Sequence, residues 1–575
     1  MDFLDLVKLE KKDASTFPEF RLAVLADSAT QFLAKALKGV AYEHQIRLEL
    51  FDPGIGLGTQ SVLDPHSALY QFQPSLTLFY FSLQSAEERF VSLEISERAH
   101  FAELLLQEVK QLVEIATAHG LPAFLLSTFP VVEDSVFGQL AAKLPHSFHY
   151  QTKQYNYLLT EWAAQTSDVF VWDLATISSS LGHSRFFDSI LYYSAKASIS
   201  FQALPFVAES VVQHIKARQG NIKKCVIFDL DNTIWGGVVG DDGLENLSLG
   251  MLGKGKVFSD IQTWLKELQR RGILLCACSK NEEKVAMKVF DTHPDMVLRR
   301  HDLVSSAVNW HPKNENVAAL LQLLNIGEDS VVYLDDNPAE RDLIRRYFPA
   351  MAVPELPQDP ALWLSFLSGQ FLFETISFSS TDRERTQLYQ QEQKRREAIQ
   401  TQDLSSYLRD LGMKATPHPL NAYTLSRVAQ LSQRTNQFNL RTHRYTEAQL
   451  SQLMHEGYVA LVHSLEDKFG NHGIVSVCLL KPEANALFID TWLMSCRVFG
   501  RGLEHLVFEQ LLSLAKEEGK QVKAEYLPTD KNKPVETLLP DLGFQFSEGF
   551  WYADPAIVTS PAHLISLLPS SKKEA

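Results

Sequence analysis

A chain of 575 residues, 45% hydrophobic and 21% charged, is too long for one core and has the composition of an ordinary globular protein with several domains. Its formal net charge of −15 excludes the lysine and arginine excess that a phosphate-backbone binder needs, so nucleic acid is not an expected partner. Five cysteines, odd in number and without metal-ligand spacing, imply a reducing compartment and no structural disulfides.

The opening MDFLDLVKLEKKD carries acids where a secretory leader would be basic, and no stretch reaches the roughly 18 apolar residues of a membrane span. A cytoplasmic protein without a membrane partner is expected. Across residues 1–218 the apolar runs FRLAVLA, SLTLFYFSL, PAFLLSTF and DVFVWDL alternate with amphipathic stretches such as FAELLLQEVKQLVEIATAHG, which predicts an α/β domain. Residues 219–372 start a second unit: the strand KKCVIFDLDNT, the helix DIQTWLKELQRRG, the strand ILLCACS, the helix NENVAALLQLLN and the strand SVVYLDD. Strands separated by helices at this spacing predict a parallel, doubly wound sheet. Residues 373–575 begin with the charge-dense, helical TDRERTQLYQQEQKRREAIQ, a connecting helix. They continue through YVALVHSL, GIVSVCLL, ALFIDTWLM and the helix RGLEHLVFEQLLSLAKEEG, an α+β pattern that ends in a frayed polar tail.

The central unit carries the chemistry. Asp229 and Asp231 lie two residues apart where an apolar run ends, and in parallel α/β sheets the carboxyl ends of the strands are where ligands bind. A helix cap and a surface charge would explain one acid, but not Ser279 after ILLCAC, Lys313 in WHPKNENV, and Asp335 with Asp336 after VVYL. In this order, on these elements, the set resembles the four motifs of the haloacid dehalogenase superfamily. The resemblance implies Asp229 as nucleophile, Asp231 as general acid and base, and Lys313 holding nucleophile and phosphoryl group, with Thr233, Ser279 and Asn281 binding phosphate. A carboxylate facing a phosphate needs a cation between them, and Mg²⁺ suits a cage of Asp229, the Asp231 main-chain carbonyl and an acid from Asp335 or Asp336, with Asp336 favoured. Fifty residues separate Asp229 from Ser279 and 34 separate Ser279 from Lys313, too few for a large inserted lid. A capless site with WGGVVGDDG as a small glycine-hinged flap is expected.

The details NTIWGGVVGDDG, SKNEE, WHPKNENV, LDDNPAERD, RTNQFNLRTHRY, FGNHGIVSV and MSCRVFGRGLE look like the FkbH-like family, very specifically from about residue 222 to 552. That resemblance implies formation of a glyceryl unit from 1,3-bisphosphoglycerate, loss of phosphate, and loading of the three-carbon unit as a thioester on an acyl carrier protein, in polyketide-type biosynthesis. No fused carrier is evident, so the carrier is expected in trans. The C-terminal unit is similar to the N-acetyltransferase fold: Arg497, Gly500 and Gly502 of an RxxGxG run precede a helix whose first amides suit the phosphate of coenzyme A or phosphopantetheine. Beside that run, Cys496 is either a thiol that carries the glyceryl group, its pKa lowered by Arg497 and Arg501, or a buried structural cysteine. Cys276 and Cys278 alternate along a strand and read as packing. Asn436, Gln437 and Asn439 are pantetheine ligands or turn formers.

The first domain resembles the SGNH hydrolases, with Ser28 in LADSAT at the nucleophile position. The DxxH that should follow is absent, because three residues after Asp188 stands Leu191. Ser28 is therefore expected as a helix cap in a non-hydrolytic docking or lid domain. The alternative for the whole chain is a stand-alone phosphatase on a small phosphorylated metabolite with an accessory acyltransferase-like domain.

Overall fold

Short apolar runs bounded by turn residues pair most readily as buried parallel strands when helices return the chain between them, and two of the three sheets here are built this way. The computed structural model describes residues 1–378, 382, 385–391, 408–495, 498–529 and 531–569, and divides into two units, Met1–Ile215 and Lys216–Ala575.

In Met1–Ile215, β1 (Glu19–Ala26), β2 (Arg47–Phe51), β3 (Leu76–Tyr80), β4 (Phe124–Ser127) and β5 (Val169–Trp172) form an all-parallel sheet in the order β2-β1-β3-β4-β5. Sequence reading passes over β2, whose Arg47 and Glu49 interrupt its apolar residues. The helix read over FAELLLQEVKQLVEIATAHG is α2 (Phe101–Ala118), and α1 (Gln31–Glu43) follows the LADSAT turn. Thr30, not Ser28, occupies the N-cap of α1, which corrects the expectation of a capping serine. Ser28 is buried. Asp188 caps the helix Ser189–Ala195 by accepting the N–H of Leu191 at 3.0 Å, so the residue where the hydrolase histidine would stand is a capping partner.

In Lys216–Ala575, β6 (Cys225–Phe228), β7 (Leu274–Ser279), β8 (Ser305–Val308) and β9 (Val331–Leu334) form a four-stranded parallel sheet ordered β8-β7-β6-β9. Successive residues of each strand enter two different cores. Val226, Phe228, Leu275 and Ala277 pack against α3 (Gly253–Arg270) and α4 (Glu283–Thr292). Cys225, Ile227, Cys276 and Cys278 face α5 (Lys313–Leu324) and α6 (Pro338–Tyr347). The sheet is thus covered on both faces, and the three cysteines share one core as packing residues. A fully buried side chain of this size contributes about 1.5–3 kcal/mol, so the strand ends are firmly placed.

The third sheet is mixed and eight-stranded: β10 (Lys414–His418), β11 (Val459–Asp467), β12 (Gly470–Pro482), β13 (Ala486–Met494), β14 (Gln521–Ala524), β15 (Gln545–Ser547), β16 (Phe550–Ala553) and β17 (Ser566–Leu567), in the order β15-β16-β14-β13-β12-β11-β10-β17. Its faces carry α7 (Ala422–Arg434) and α8 (Leu503–Glu517). Most of the predicted connecting helix and the tail from residue 570 lie outside the described residues. Among the described residues, no helix is long and apolar enough to cross a membrane.

Candidate active site

The strand order decides where a site forms. The chain moves from β6 outward to β7 and β8, then returns to place β9 on the other side of β6. The helices leave in opposite directions there, and a crevice opens at the carboxyl ends of β6 and β9. Asp229 follows β6 and Asp335 and Asp336 follow β9, and carboxylate oxygens of all three lie within 4.8 Å of one another. The Asp229 N–H bonds the Leu334 carbonyl at 2.9 Å, which locks the two strand ends in register.

Three acids so close in a buried place require positive charge. Lys313, the first residue of α5 and 3% exposed, places Nζ 2.6 Å from Asp335 Oδ2 and 3.2 Å from Asp229 Oδ2. Burial opposes its charge, but Asp229 and Asp335 outweigh it and hold the ammonium above its ordinary range. One lysine does not balance the site. Burial pushes Asp229 up to about 7, with Lys313 pulling down and Asp335 pushing up, and burial also raises Asp336. Asp229 Oδ1 is buried without a hydrogen-bond partner among the described residues. An orphaned carboxylate oxygen in a trio of acids fits a hard divalent cation.

The two motif-four acids are used differently. Asp335 accepts from Lys313, from the Tyr333 hydroxyl at 2.7 Å and from the Asn337 N–H at 2.9 Å. The Asp336 carboxylate accepts the Thr233 hydroxyl at 3.4 Å, and Thr233 Oγ1 also accepts the Asp336 N–H at 3.2 Å. Thr233 therefore ties the β6 loop to the β9 loop, and Asp336 is the acid with oxygen left over. The carboxylate of Asp231 accepts three donors: Trp235 Nε1 at 2.8 Å, the Val239 N–H of the flap at 3.1 Å and Asn281 Nδ2 at 2.9 Å. Asn281, expected on phosphate, is one of the donors to Asp231. Ser279 ends β7 and is buried. Trp235 and Arg341 escaped sequence reading as site residues, although both lie in quoted motifs: Arg341 donates to the carbonyls of Asp335 and Asp336, each at 2.8 Å.

Cys496 and Arg497 lie outside the described residues. Gly500 and Gly502 have φ of +74° and +86°, backbone that glycine adopts most readily, and Gly502 caps α8. Arg501 donates to Asp467 Oδ2 at 3.3 Å, and His472 Nε2 stands 3.0 Å from that same oxygen, a buried cluster that the sequence pattern alone does not reveal. Asn439 shapes a turn by accepting the Thr442 N–H at 2.9 Å. Asn436, Gln437 and Ser495 line a cavity of about 570 Å³ with Lys224, which precedes β6, and Ser330, which precedes β9. That is the amino-terminal edge of the four-stranded sheet, opposite the carboxylates.

A family model described as FkbH, N-terminal domain, matches residues 21–216. The crystal structure of the N-terminal part of the protein BF1531 from Bacteroides fragilis, containing a phosphatase domain complexed with Mg, is 38% identical; the match covers 66% of this chain and 100% of that chain with a TM-score of 0.63. The chain belongs to the FkbH-like family. Within this FkbH-like chain, the unit around Asp229 is a phosphatase-type enzyme domain of the haloacid dehalogenase kind. Two further solved structures are similar over shorter stretches: the ribosomal-protein-S18-alanine N-acetyltransferase from Escherichia coli, at 13% identity over 24% of this chain and 88% of that chain with a TM-score of 0.19, and an acetyl xylan esterase, at 10% identity over 34% and 98% with a TM-score of 0.23. No curated protein matches the chain.

Proposed function

We propose that this FkbH-like chain is a Mg²⁺-dependent phosphatase and glyceryltransferase that converts 1,3-bisphosphoglycerate into a glyceryl thioester on an acyl carrier protein supplied by another chain, in polyketide-type biosynthesis. The observation that carries the phosphatase half is the set of three carboxylates within 4.8 Å beside Lys313, with one oxygen of Asp229 lacking a hydrogen-bond partner among the described residues. Asp229, Asp336 and the main-chain carbonyl of Asp231 would hold Mg²⁺, which when bound neutralises and orients phosphoryl oxygens. Asp229 then attacks phosphorus, and the phosphorus–oxygen bond of the leaving group breaks as the aspartyl phosphate forms. Lys313 steadies nucleophile and phosphoryl group together. Asp231, oriented by Trp235, Val239 and Asn281, gives a proton to the leaving oxygen and takes one from the water that hydrolyses the intermediate.

Forming a glyceryl thioester from this substrate releases two phosphates by different bonds. Hydrolysis at Asp229 accounts for the phosphate ester. The acyl phosphate goes when a thiolate attacks its carbonyl carbon and inorganic phosphate leaves, the role we assign to Cys496. The phosphopantetheine thiolate of the carrier next attacks that thioester and expels the Cys496 thiolate, with Gly500 and Gly502 beside the pantetheine phosphate. In intact-mass measurements with 1,3-bisphosphoglycerate, Mg²⁺ and a carrier, Cys496→Ala is expected to leave the carrier without added mass. A normal loading rate would remove Cys496 from the scheme.

The opposite placement of the β13 end and the carboxylate crevice favours one second reading, a stand-alone phosphatase for a small metabolite with an accessory acyltransferase-like domain. Broad phosphate release with no mass on any carrier would select it.

A further inference from the structure

Beside the carboxylates lies a cavity of about 810 Å³, bounded by the flap, the first turn of α3 and the segment 355–363. Asn232 and Asp336 belong to its wall, so it opens onto the reacting centre. Its volume suits a ligand much larger than a phosphoryl group, and Phe258, Leu356 and Trp363 give it an apolar side.

The first turn of α3 breaks the usual rule for a helix start. Its N-cap is Leu252, which offers no side-chain acceptor, no acid stands in the first turn, and Lys254 and Lys256 place positive charge where the helix end is already positive. Such a choice weakens the helix and is expected where a site uses it. Lys256 is bonded to Asp260, whereas Lys254 lines the cavity and has no ion-pair partner among the described residues. On another wall of the same cavity stands Arg341, 4% exposed. Its two terminal nitrogens bond Asp335 O, Asp336 O and Glu355, but its Nε–H is buried with no partner among the described residues. Lys254 is therefore an exposed cation, without an ion-pair partner among the described residues, on the wall of a cavity beside a phosphoryl site.

We infer that this cavity holds the non-reacting part of the substrate, that this part carries a second anionic group, a carboxylate or a phosphate, and that Lys254 selects for it. The inference rests on the phosphatase reading of Asp229. Gly255, next to Lys254, has no room for a side chain, since a Cβ there would lie 2.5 Å from the Leu249 carbonyl oxygen, so close backbone contact with Leu249 fixes the turn that carries Lys254.

The test uses the full chain with Mg²⁺ and two substrates on the same three-carbon skeleton: 3-phosphoglycerate, with a carboxylate, and glycerol 3-phosphate, without one. The wild type is expected to prefer 3-phosphoglycerate, and Lys254→Met to lower the ratio of the two kcat/KM values by about tenfold or more, mainly through KM. Lys254→Arg should restore most of the preference, and an unchanged melting temperature in both variants would separate recognition from folding. No preference in the wild type, no turnover of 3-phosphoglycerate, or a ratio preserved in Lys254→Met would overturn the inference. Hydrolysis of p-nitrophenyl phosphate by all three proteins tells the failures apart: where it persists, only the role of Lys254 falls, and where it is absent, the phosphatase reading falls too.

Discussion

Asp229→Asn is expected to reduce Mg²⁺-dependent phosphate release by at least about 10³-fold and, at the same time, to raise the melting temperature of the metal-free protein near pH 8 by a few degrees. The first effect follows from losing the nucleophile. The second follows from the charge balance, because Asp229 and Asp335 share one lysine and burial pushes Asp229 up to about 7 from 3.8. An acid whose folded pKa is raised binds its proton more tightly in the folded state, so its contribution to stability falls as pH climbs from about 4 to about 7, and the whole cost is present above that range. Asparagine cannot ionise and leaves Lys313 and Asp335 as a balanced pair. The gain should therefore be largest at pH 8 and shrink towards pH 4 in thermal melts with chelator. A variant that still releases phosphate, or that melts lower at pH 8, would contradict this account.

Removing the other partner should have the opposite sign. Lys313→Met deletes the cation that both Asp229 and Asp335 contact, and an uncompensated buried charge typically costs about 3–5 kcal/mol. Metal-free Lys313→Met is expected to melt well below the wild type at pH 8, to recover part of the loss at pH 5 as the acids take up protons, and to lose phosphate turnover by about 10²-fold or more. The pair of variants thus separates chemistry from stability: both abolish most turnover, but their melting temperatures move in opposite directions. Equal shifts in the same direction would show that Lys313 does not balance these acids.

The crevice was legible in the sequence because its residues sit at the ends of buried strands. VIFDLDNT and VVYLDD announce both an apolar strand and its terminus, and the parallel topology brings those termini together. What local pattern could not assign was which partner each polar group would find. Asn281, expected on phosphate, has Asp231 as a partner, and Thr233 has Asp336. Such pairings join residues 50 and 103 positions apart and depend on tertiary geometry alone. The choice between Asp335 and Asp336 is open in the sequence for the same reason, since only the folded chain shows that Tyr333 and the Asn337 N–H donate to Asp335 and that Lys313 is shared between Asp335 and Asp229. In the first unit, the missing histidine after Asp188 is plain in sequence, but the nearness of Ser28 to a helix start does not tell which of Ser28 and Thr30 takes the N-cap. Strands β2 and β8 carry too few apolar residues to stand out, and they gain their place by pairing with β1 and β7.

The central claim is that the carboxylate of Asp229 bonds phosphorus. It is tested most directly by mixing the full chain with Mg²⁺ and a phosphorylated substrate, quenching in acid during turnover, and locating added mass in the digested protein. One phosphoryl group on the peptide that contains Asp229, absent from the same peptide of Asp229→Asn, is the predicted result. Turnover with no phosphoryl group on the protein, or with one on a different residue, would contradict it.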